Sequence, residues 1–479
     1  MRKSFISAAV LLPLIGWGAQ PVFASPRDDV ISLIGKATET HDRLRGAEAA
    51  AESARNALRI SHGGWYPTLS LSANGGRETT NKPAGLPNTD LNAKQLSVRA
   101  TQLIWDFDAT NADIRRAQVS VVRADIAVER TRQELLVEGL SAYATLVRAH
   151  RLLVFSRQSE DNIRRQTGLE EVRLQEGYGF TTDVLQAKSQ LAGAQARRVA
   201  AEEAMQTALS RFQAYFGHVP FQLDGAEVLA MTKAALPQSM DAAVDEARRH
   251  NPRLQELALT TAAAQEAVAS VRGRTLYPRV EGYVERNIKS DVAGQPGRQD
   301  ELLFKLQVTF SLNTGLTAIN SVRLAEADLR AADANFADQE RTVLETVRNS
   351  WNRLESARSQ VRLLNDQASL AAGFLDVARA ERELGSRSLI DILSGETTLI
   401  NARSDAAAAE TELVLAGYRL LAAMGRLTAA DIQTKPMPKL AAMGRGLFDG
   451  SGKAEPAPPG NRNDGSRDTK RKRGKGDQQ

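Results

Sequence analysis

Two short segments hold the residues whose types and spacing could do chemistry. They are GYGFTTDVL (177–185) and GSRSLIDIL (385–393), and each places an Asp six residues after a Gly, at Asp183 and Asp391. A carboxylate at the start of a helix is stabilised by the positive end of the helix dipole, and Ser388-x-x-Asp391 has the spacing of a helix cap. The same carboxylates could instead serve the function of the protein directly. Capping alone would explain both aspartates, so both interpretations stay open.

The rest of the chain offers no catalytic constellation. There is no Cys, and the sequence contains no HExxH pair, no nucleophile elbow and no phosphate-binding glycine loop. The histidines are far apart and lack metal-ligand spacing; they are His41, His62, His150, His218 and His250. We therefore predict a protein that is not an enzyme and that uses no cofactor and no metal.

The basic charge is concentrated at the two ends of the 479-residue chain. The formal net charge is +5, but Arg2 and Lys3 supply +2 and residues 461–479 supply +4, which leaves the remaining chain near −1. Arg2-Lys3 precedes a short apolar run and small residues before Ser25, the pattern of a signal peptide over 1–24. The basic segment 436–479 is predicted to be a disordered tail. An exported chain is not expected to meet nucleic acid.

The sequence contains an internal repeat. Tyr66-Pro67 is echoed by Tyr277-Pro278, and Gly177 and Asp183 by Gly385 and Asp391, at offsets of 208 to 211 residues. Because the landmarks recur in the same order, we predict a tandem duplication. The first repeat spans 25–225 and the second 226–435.

Long segments with helical periodicity dominate both repeats. They are rich in Ala, Leu, Arg, Glu and Gln and nearly free of Pro, and they cover about 108–175, 183–216, 242–275, 316–376 and 388–424. A helix of 60 residues is about 90 Å long. Such helices cannot form a compact globule and are predicted to pack side by side as coiled coils.

Four short segments alternate apolar and polar residues, as strands do. The predicted strands are about 66–75 and 95–105 in the first repeat and about 278–286 and 302–312 in the second, each pair joined by a polar loop. Their length suits a tilted strand that crosses a bilayer. Four strands cannot close a transmembrane barrel, because the smallest single-chain examples have eight. If the strands span a membrane, several chains must share one barrel.

These features together resemble the TolC family of outer-membrane factors. The resemblance rests on the duplicated halves, the Tyr-Pro pair before each first strand, Asn251-Pro252 before a helix and the two Gly-to-Asp turns, and it covers about 28–435. It implies a mainly α fold with a small β part. Duplicated long-helix hairpins form a periplasmic α-barrel, and a homotrimer shares a 12-stranded barrel in the outer-membrane lipid of a Gram-negative bacterium. Where Asn251-Pro252 would be mirrored, the first repeat has His41-Asp42, so we expect its first helix to begin differently.

The resemblance also assigns roles to the two turns. They become the periplasmic tips 177–183 and 385–391, where family channels close at rest and a periplasmic adaptor docks, with contacts expected at Gly177, Gly385, Phe180 and Ser388. Asp391 matches an aspartate that rings the narrowest constriction. Closure in the family links an acidic residue of the first turn to Tyr and Arg of the second. Here the matching positions are Asp183, Arg382 in place of Tyr, and Arg387, which predicts an Asp183–Arg387 ion pair.

The implied function is a passive export duct powered by an inner-membrane ABC exporter or proton-driven pump. The segments GSRSLIDIL, TLINAR and YRLLAAMGRLTAADI favour members that serve type I protein secretion. Multidrug efflux is the alternative. A periplasmic coiled-coil scaffold without a pore is a more remote one. Some relatives are lipoproteins anchored through an N-terminal Cys, a route that this cysteine-free chain does not offer.

Overall fold

The computed structural model describes residues 30–83, 85, 87–217, 227–230, 236–311 and 314–436. The predicted signal peptide (1–24), nearly all of the predicted tail (436–479) and the predicted boundary between the repeats at 225 and 226 lie outside the described residues.

The same order of elements occurs twice. The first set consists of α1 (Val30–Thr40), α2 (Asp42–His62), β1 (Thr68–Thr80), β2 (Thr89–Trp105), α3 (Ala109–Gln175) and α4 (Thr181–Phe216). The second consists of α5 (Met240–His250), α6 (Pro252–Leu276), β4 (Arg279–Ser290), β5 (Arg298–Thr309), α7 (Thr317–Glu383) and α8 (Leu389–Ala423). Two short strands, β3 (Glu227–Ala230) and β6 (Gln433–Pro436), pair with each other outside this scheme. The tandem arrangement of elements follows the predicted duplication.

The four long strands form one antiparallel sheet in the order β1-β2-β4-β5. Each strand has a helix as its neighbour in sequence at the same end of the sheet: α2 precedes β1, α3 follows β2, α6 precedes β4, and α7 follows β5. The helices lie side by side in the same order, with α3 packed between α2 and α6, and α6 between α3 and α7. The chain thus forms a layer of four strands that continues as a layer of four helices. The edge strands of the sheet are β1 and β5, and the edge helices are α2 and α7.

The strands are longer than the sequence pattern predicted. β1 and β2 pair as far as Thr80 and Thr89, so that only 81–88 remain as a loop, and β4 and β5 pair as far as Ser290 and Arg298. The prediction ended these strands where the apolar residues ended. The strands continue because a hairpin ladder is held by backbone hydrogen bonds whatever the side chains, and because ion pairs such as Arg77–Asp90 cross it. At its other end β5 stops at Thr309, and the predicted terminus at 312 lies outside the described residues.

Both repeats begin with a short helix, a capping residue and a second helix. Asn251 caps α6 by accepting hydrogen bonds from the N–H groups of Arg253 (2.9 Å) and Leu254 (3.2 Å). His41 caps α2 in the corresponding place, with Nδ1 accepting from the N–H of Arg43 (3.1 Å). The expectation that the first repeat starts differently is therefore wrong. An imidazole nitrogen can accept the same hydrogen bond as an Asn carbonyl, so the capping geometry survives the change of residue.

The helices α3 and α7 each have 67 residues and are about 100 Å long. α4 runs back along α3, and α8 along α7, so that two long hairpins extend away from the sheet. The main core lies where α1, α4, α8 and β3 pack against the middle of α3, and it continues to α5, which packs against α7. Its largest fully buried side chains include Tyr418, Phe212, Leu135, Leu140 and Leu146.

Among the described residues, no helix is long and apolar enough to cross a membrane.

Candidate functional site

The turn between α3 and α4 is closed by a glycine in the left-handed region. Gly177 has φ +83°, its N–H donates to the Leu174 carbonyl (3.1 Å), and the N–H of Tyr178 donates to the Arg173 carbonyl (2.9 Å). This pair of bonds is a Schellman motif, which ends a helix and reverses the chain. Gly177 is needed here because a side chain at positive φ is strained.

The turn between α7 and α8 repeats this geometry. Gly385 has φ +79°, its N–H donates to the Arg382 carbonyl (2.9 Å), and the N–H of Ser386 donates to the Glu381 carbonyl (3.0 Å). The two turns predicted from the Gly-to-Asp spacing are therefore the reversals of the two long hairpins. They lie at the end of the molecule that is farthest from the sheet.

The two predicted aspartates open the returning helices in different ways. Ser388 caps α8, since its Oγ accepts from the N–H of Asp391 (3.3 Å) and donates to the Asp391 carboxylate (2.8 Å). Asp183 lies in the first turn of α4, but the capping residue there is Phe180, whose side chain caps nothing. Asp391 thus has a capping partner, and Asp183 has only a favourable place in the helix dipole.

Arg387 interacts locally within the second turn. Its Nε lies 3.5 Å from the Asp391 carboxylate and 3.6 Å from that of Glu381, and its guanidinium sits 5.4 Å from the ring centroid of Phe374. The predicted partner Asp183 is not among the ion pairs that Arg387 makes within the described part of one chain. The acidic groups on its own hairpin occupy it instead.

Arg382 makes the link between the two hairpins. Its Nη2 donates to Oε1 of Glu170 on α3 (2.6 Å), and its Nη1 donates to the Arg387 carbonyl (2.9 Å). Glu170 is 3% exposed and is also held by Arg173, one turn further along α3 (2.8 Å). We call the Glu170–Arg382 pair the tip latch. Sequence reasoning identified Arg382 but missed Glu170, and the only signal in the sequence was an Arg in place of a Tyr, which does not say which acidic residue would pair with it.

Two further polar links join α3 to α8 above the latch. Arg151 donates to Glu410 (2.8 Å), and Asn162 donates to Glu396 (3.3 Å), which is 3% exposed and is also bound by Arg379. Burial lowers the pKa of the nearby Arg403 guanidinium from its usual value, although Glu396 opposes this shift. Between the Asn162–Glu396 link and the latch the contact is apolar and includes Ile163, Ala187, Ala194, Leu389 and Leu393. The lower ends of the hairpins are therefore held by a few buried charges set in a small apolar contact.

Large apolar side chains are exposed on both turns. Tyr178 and Phe180 on the first turn and Leu384 on the second are 83%, 71% and 85% exposed in the single chain. Of the predicted docking residues, Phe180 therefore presents its side chain to solvent. Gly177, Gly385 and Ser388 shape the turns.

The sheet has one apolar and one polar face. Leu69, Leu71, Phe304, Leu306 and Val308 are exposed on the apolar face. On the polar face the side chains contact one another across the strands: Ser97 donates to Asn287 (2.5 Å), and Arg99 donates to Glu285 (2.6 Å) and stacks over the ring of Tyr283. This is the alternation that the sequence predicted for strands with one side in lipid and one in water.

Within the described residues, no group of three His, Asp or Glu side chains could hold a metal ion. The polar clusters of the tip are ion pairs between arginines and carboxylates. Such ion pairs can hold two helices together and can also be broken so that the helices separate.

A fold of paired long-helix hairpins beneath a four-stranded sheet is that of an outer-membrane channel subunit, and comparison with known proteins agrees. The sequence profile of the family described as "Outer membrane efflux protein" matches residues 33–218 and 243–426. The chain therefore belongs to the outer membrane efflux protein family, the TolC family, and is an outer-membrane protein with a large periplasmic part.

Similar proteins cover nearly the whole chain. The outer membrane efflux protein BepC of Brucella suis is 24% identical over 90% of this chain and 92% of its own length. The alkaline protease secretion protein AprF of Pseudomonas aeruginosa is 24% identical over 83% of this chain and 84% of its own. The solved CmeC outer membrane channel of Campylobacter jejuni has a TM-score of 0.74 at 14% identity, covering 83% of this chain and 86% of that one. The predicted family and fold class are thus confirmed.

Proposed function

We propose that this protein is the passive outer-membrane duct of a tripartite export system, closed at rest by the tip latch. The observation that carries the proposal is the Glu170–Arg382 contact, which joins two hairpins about 100 Å long at the end opposite the sheet. A buried ion pair at the tips of the two long helical hairpins is well placed to control whether the hairpins separate.

The edge strands and edge helices support an oligomer. Among the described residues, β1 and β5 each leave a row of backbone N–H and C=O groups without a pairing strand, and such groups cannot face lipid. Joining the β5 edge of one copy to the β1 edge of the next would satisfy them, and α7 would meet α2 in the same way. Three copies, the number that family membership favours, give a barrel of 12 strands.

The two faces of the sheet support a conduit. In a closed barrel the apolar face would meet lipid, and the polar face with Arg99, Tyr283 and Glu285 would line a water-filled lumen. The helical hairpins would extend that lumen through the periplasm as an α-barrel. The chain would catalyse nothing itself, and energy would come from an inner-membrane ABC exporter or proton-driven pump.

Opening would occur at the tip. A periplasmic adaptor would contact the exposed Tyr178, Phe180 and Leu384, and its binding would compete with the contact between the hairpins. The roles of Asp391 as a constriction ring and of Asp183 and Arg387 as contacts between neighbouring copies belong to this proposal, because each of these side chains lies on a tip turn. Partners in a neighbouring copy would be added to the local contacts of Arg387.

Type I protein secretion is our first candidate for the transported substrate, and small-molecule efflux is the second. AprF, a similar protein, is named for secretion of alkaline protease, whereas BepC is named for efflux. Deletion of the gene followed by mass spectrometry of the culture medium tests the choice. We expect a secreted protein to disappear from the medium while drug susceptibility is unchanged. Increased susceptibility with an unchanged set of secreted proteins would favour efflux.

A coiled-coil scaffold without a pore is the competing class of function. It requires no barrel and no conductance. A heat-resistant oligomer in the outer-membrane fraction that conducts ions in planar bilayers would eliminate it.

A further inference from the structure

The apolar face of the sheet ends in a group of cations on the side away from the helices. From Trp105 to Leu96, β2 covers about 30 Å along the strand, or about 23 Å of bilayer at a tilt of about 40°. This matches the height of the apolar band of outer-membrane barrels, about 25 Å. Since the helices are periplasmic, the residues beyond Leu96 lie at the outer leaflet.

One transverse row of the sheet lies just beyond the row of Leu96, Ile288 and Asp300. Leu96 pairs with Ile288, and two residues further on Lys94 pairs with Ser290, which pairs with Arg298. Neighbouring strands are about 4.8 Å apart, so the Cα atoms of Lys94 and Arg298 are about 10 Å apart with the small Ser290 between them. Both cations are exposed, and neither forms an ion pair with any described residue.

Two more arginines lie on the same face: Arg77 is one step further from the helices than this row, and Arg286 is two steps nearer to them, where it pairs with Val98 and Leu302. Arg77 is paired with Asp90, and Arg286 donates to Asp300 through Nε (3.1 Å) and Nη2 (2.7 Å). A guanidinium group has five N–H donors, and each aspartate accepts from only some of them. The ion pair also holds the guanidinium group, and so its remaining N–H donors, in one orientation. The four cations and two carboxylates leave +2 on this face of each chain. Two of those cations, Lys94 and Arg298, lie outside both ion pairs, and Arg298 also attracts the Asp300 carboxylate.

We propose that Lys94, Ser290 and Arg298 form a binding site for the phosphate of an outer-leaflet glycolipid of the lipid A type. Arg and Lys are the side chains that bind phosphate through charge-assisted hydrogen bonds, and their long stems can converge over Ser290. Leu96 and Ile288 lie directly below and would receive the acyl chains, next to Asp300, which shares their row and is paired with Arg286. A soluble anion would bind the cations but would not contact the apolar side chains next to them. The proximity of cations and apolar side chains therefore favours a lipid.

The site rests on the proposed barrel, and its test separates the two. The full-length protein is purified in detergent and titrated with diphosphorylated lipid A, and bound lipid is counted by native mass spectrometry. For the double variant Lys94→Gln/Arg298→Gln we expect affinity to fall roughly fivefold for each cation removed. Lys305→Gln removes one cation from the polar face and is the matched control, with unchanged binding.

Several outcomes decide the proposal. Dephosphorylated lipid A should bind the native protein as weakly as diphosphorylated lipid A binds the double variant. Arg298→Lys, which keeps the charge, should retain most of the affinity and guards against a folding defect. Equal binding by native protein and double variant would overturn the site, as would an equal loss in Lys305→Gln or equally tight binding of phosphatidylglycerol. If the lipid-binding prediction fails but the double variant conducts ions like the native protein, only the lipid site is wrong and the proposed duct stands.

Discussion

Glu170 on α3 and Arg382 on α7 are 212 residues apart in the chain and are joined by a 2.6 Å hydrogen bond between Oε1 and Nη2. The contact connects the first repeat to the second at the tip. Because Glu170 is buried, removing Arg382 leaves a carboxylate with less compensation in an apolar contact. Breaking a buried pair by removal of one partner costs about 3–5 kcal/mol. This cost arises from the carboxylate left uncompensated and is not the strength of the pair itself, but it favours the paired state in each copy more than an exposed pair would.

Covalent replacement of the latch should block transport. The chain has no Cys, so Glu170→Cys/Arg382→Cys introduces the only two thiols. We expect a bifunctional thiol reagent with a reducible linker to hold the hairpins together, to stop export and to release it after reduction. Either single Cys variant treated in the same way is the control. Undiminished export after complete cross-linking would contradict a tip that opens between α3 and α7.

Alanine at the second turn should destabilise the protein. Gly385 has φ +79°, a conformation that costs an L-residue about 1–2 kcal/mol. Gly385→Ala should therefore lower the free energy of unfolding by about 1 kcal/mol, measured by chemical denaturation. Gly168→Ala is the matched control, since Gly168 lies inside α3 with no atom near an added Cβ, and there alanine should stabilise by about 0.5–1 kcal/mol. A loss of stability in both variants would argue against the turn geometry.

The cap at Asn251 should matter more than the cap at His41. Asn251 is buried, and it also donates through Nδ2 to the Ala423 carbonyl (2.7 Å). Asn251→Ala removes the cap and this second bond, and should cost about 2 kcal/mol, whereas His41→Ala loses one exposed cap bond and should cost about 1 kcal/mol. Thermal unfolding of both variants measures the difference. Asn251→Asp keeps the acceptor and should fall between the native protein and Asn251→Ala.

Charge on the apolar face of the sheet should prevent insertion. Phe304 is exposed on that face, and Arg near the bilayer midplane costs about 2–4 kcal/mol. Phe304→Arg should therefore reduce the amount of protein in the outer-membrane fraction. Gln307→Arg places the same charge on the polar face and should insert normally. If both variants inserted equally well, the assignment of the two faces would be wrong.

The sequence predicted the long helices and both reversals because these features are local. Gly177 and Gly385 mark helix ends through their backbone conformation alone, and the apolar period defines α3 and α7 over many turns. The ends of the strands were missed, because polar residues such as Thr80 and Thr89 continue the ladder without any apolar signal. The cap at His41 was missed because a histidine seldom takes that role.

The tip latch could not be predicted from local sequence. The family resemblance paired Asp183 with Arg387, but the pairing depends on which faces of α3 and α7 meet. That packing places Glu170 opposite Arg382 and leaves Arg387 beside Asp391 and Glu381. Glu170 is one of several acidic residues near the end of α3, and only the packing of the two hairpins distinguishes it.

Single-channel conductance of the purified full-length protein in planar bilayers tests the central claim most directly. The native protein should form long-lived channels that are mostly closed, and Glu170→Gln and Arg382→Gln should each raise the open conductance several-fold. Gln is similar in size to Glu, so Glu170→Gln removes charge with little change in packing. Asp183→Asn, which alters an acidic residue outside the latch, should raise conductance less. Absence of channels, or equal conductance in the native protein and both latch variants, would contradict a duct held closed by Glu170 and Arg382.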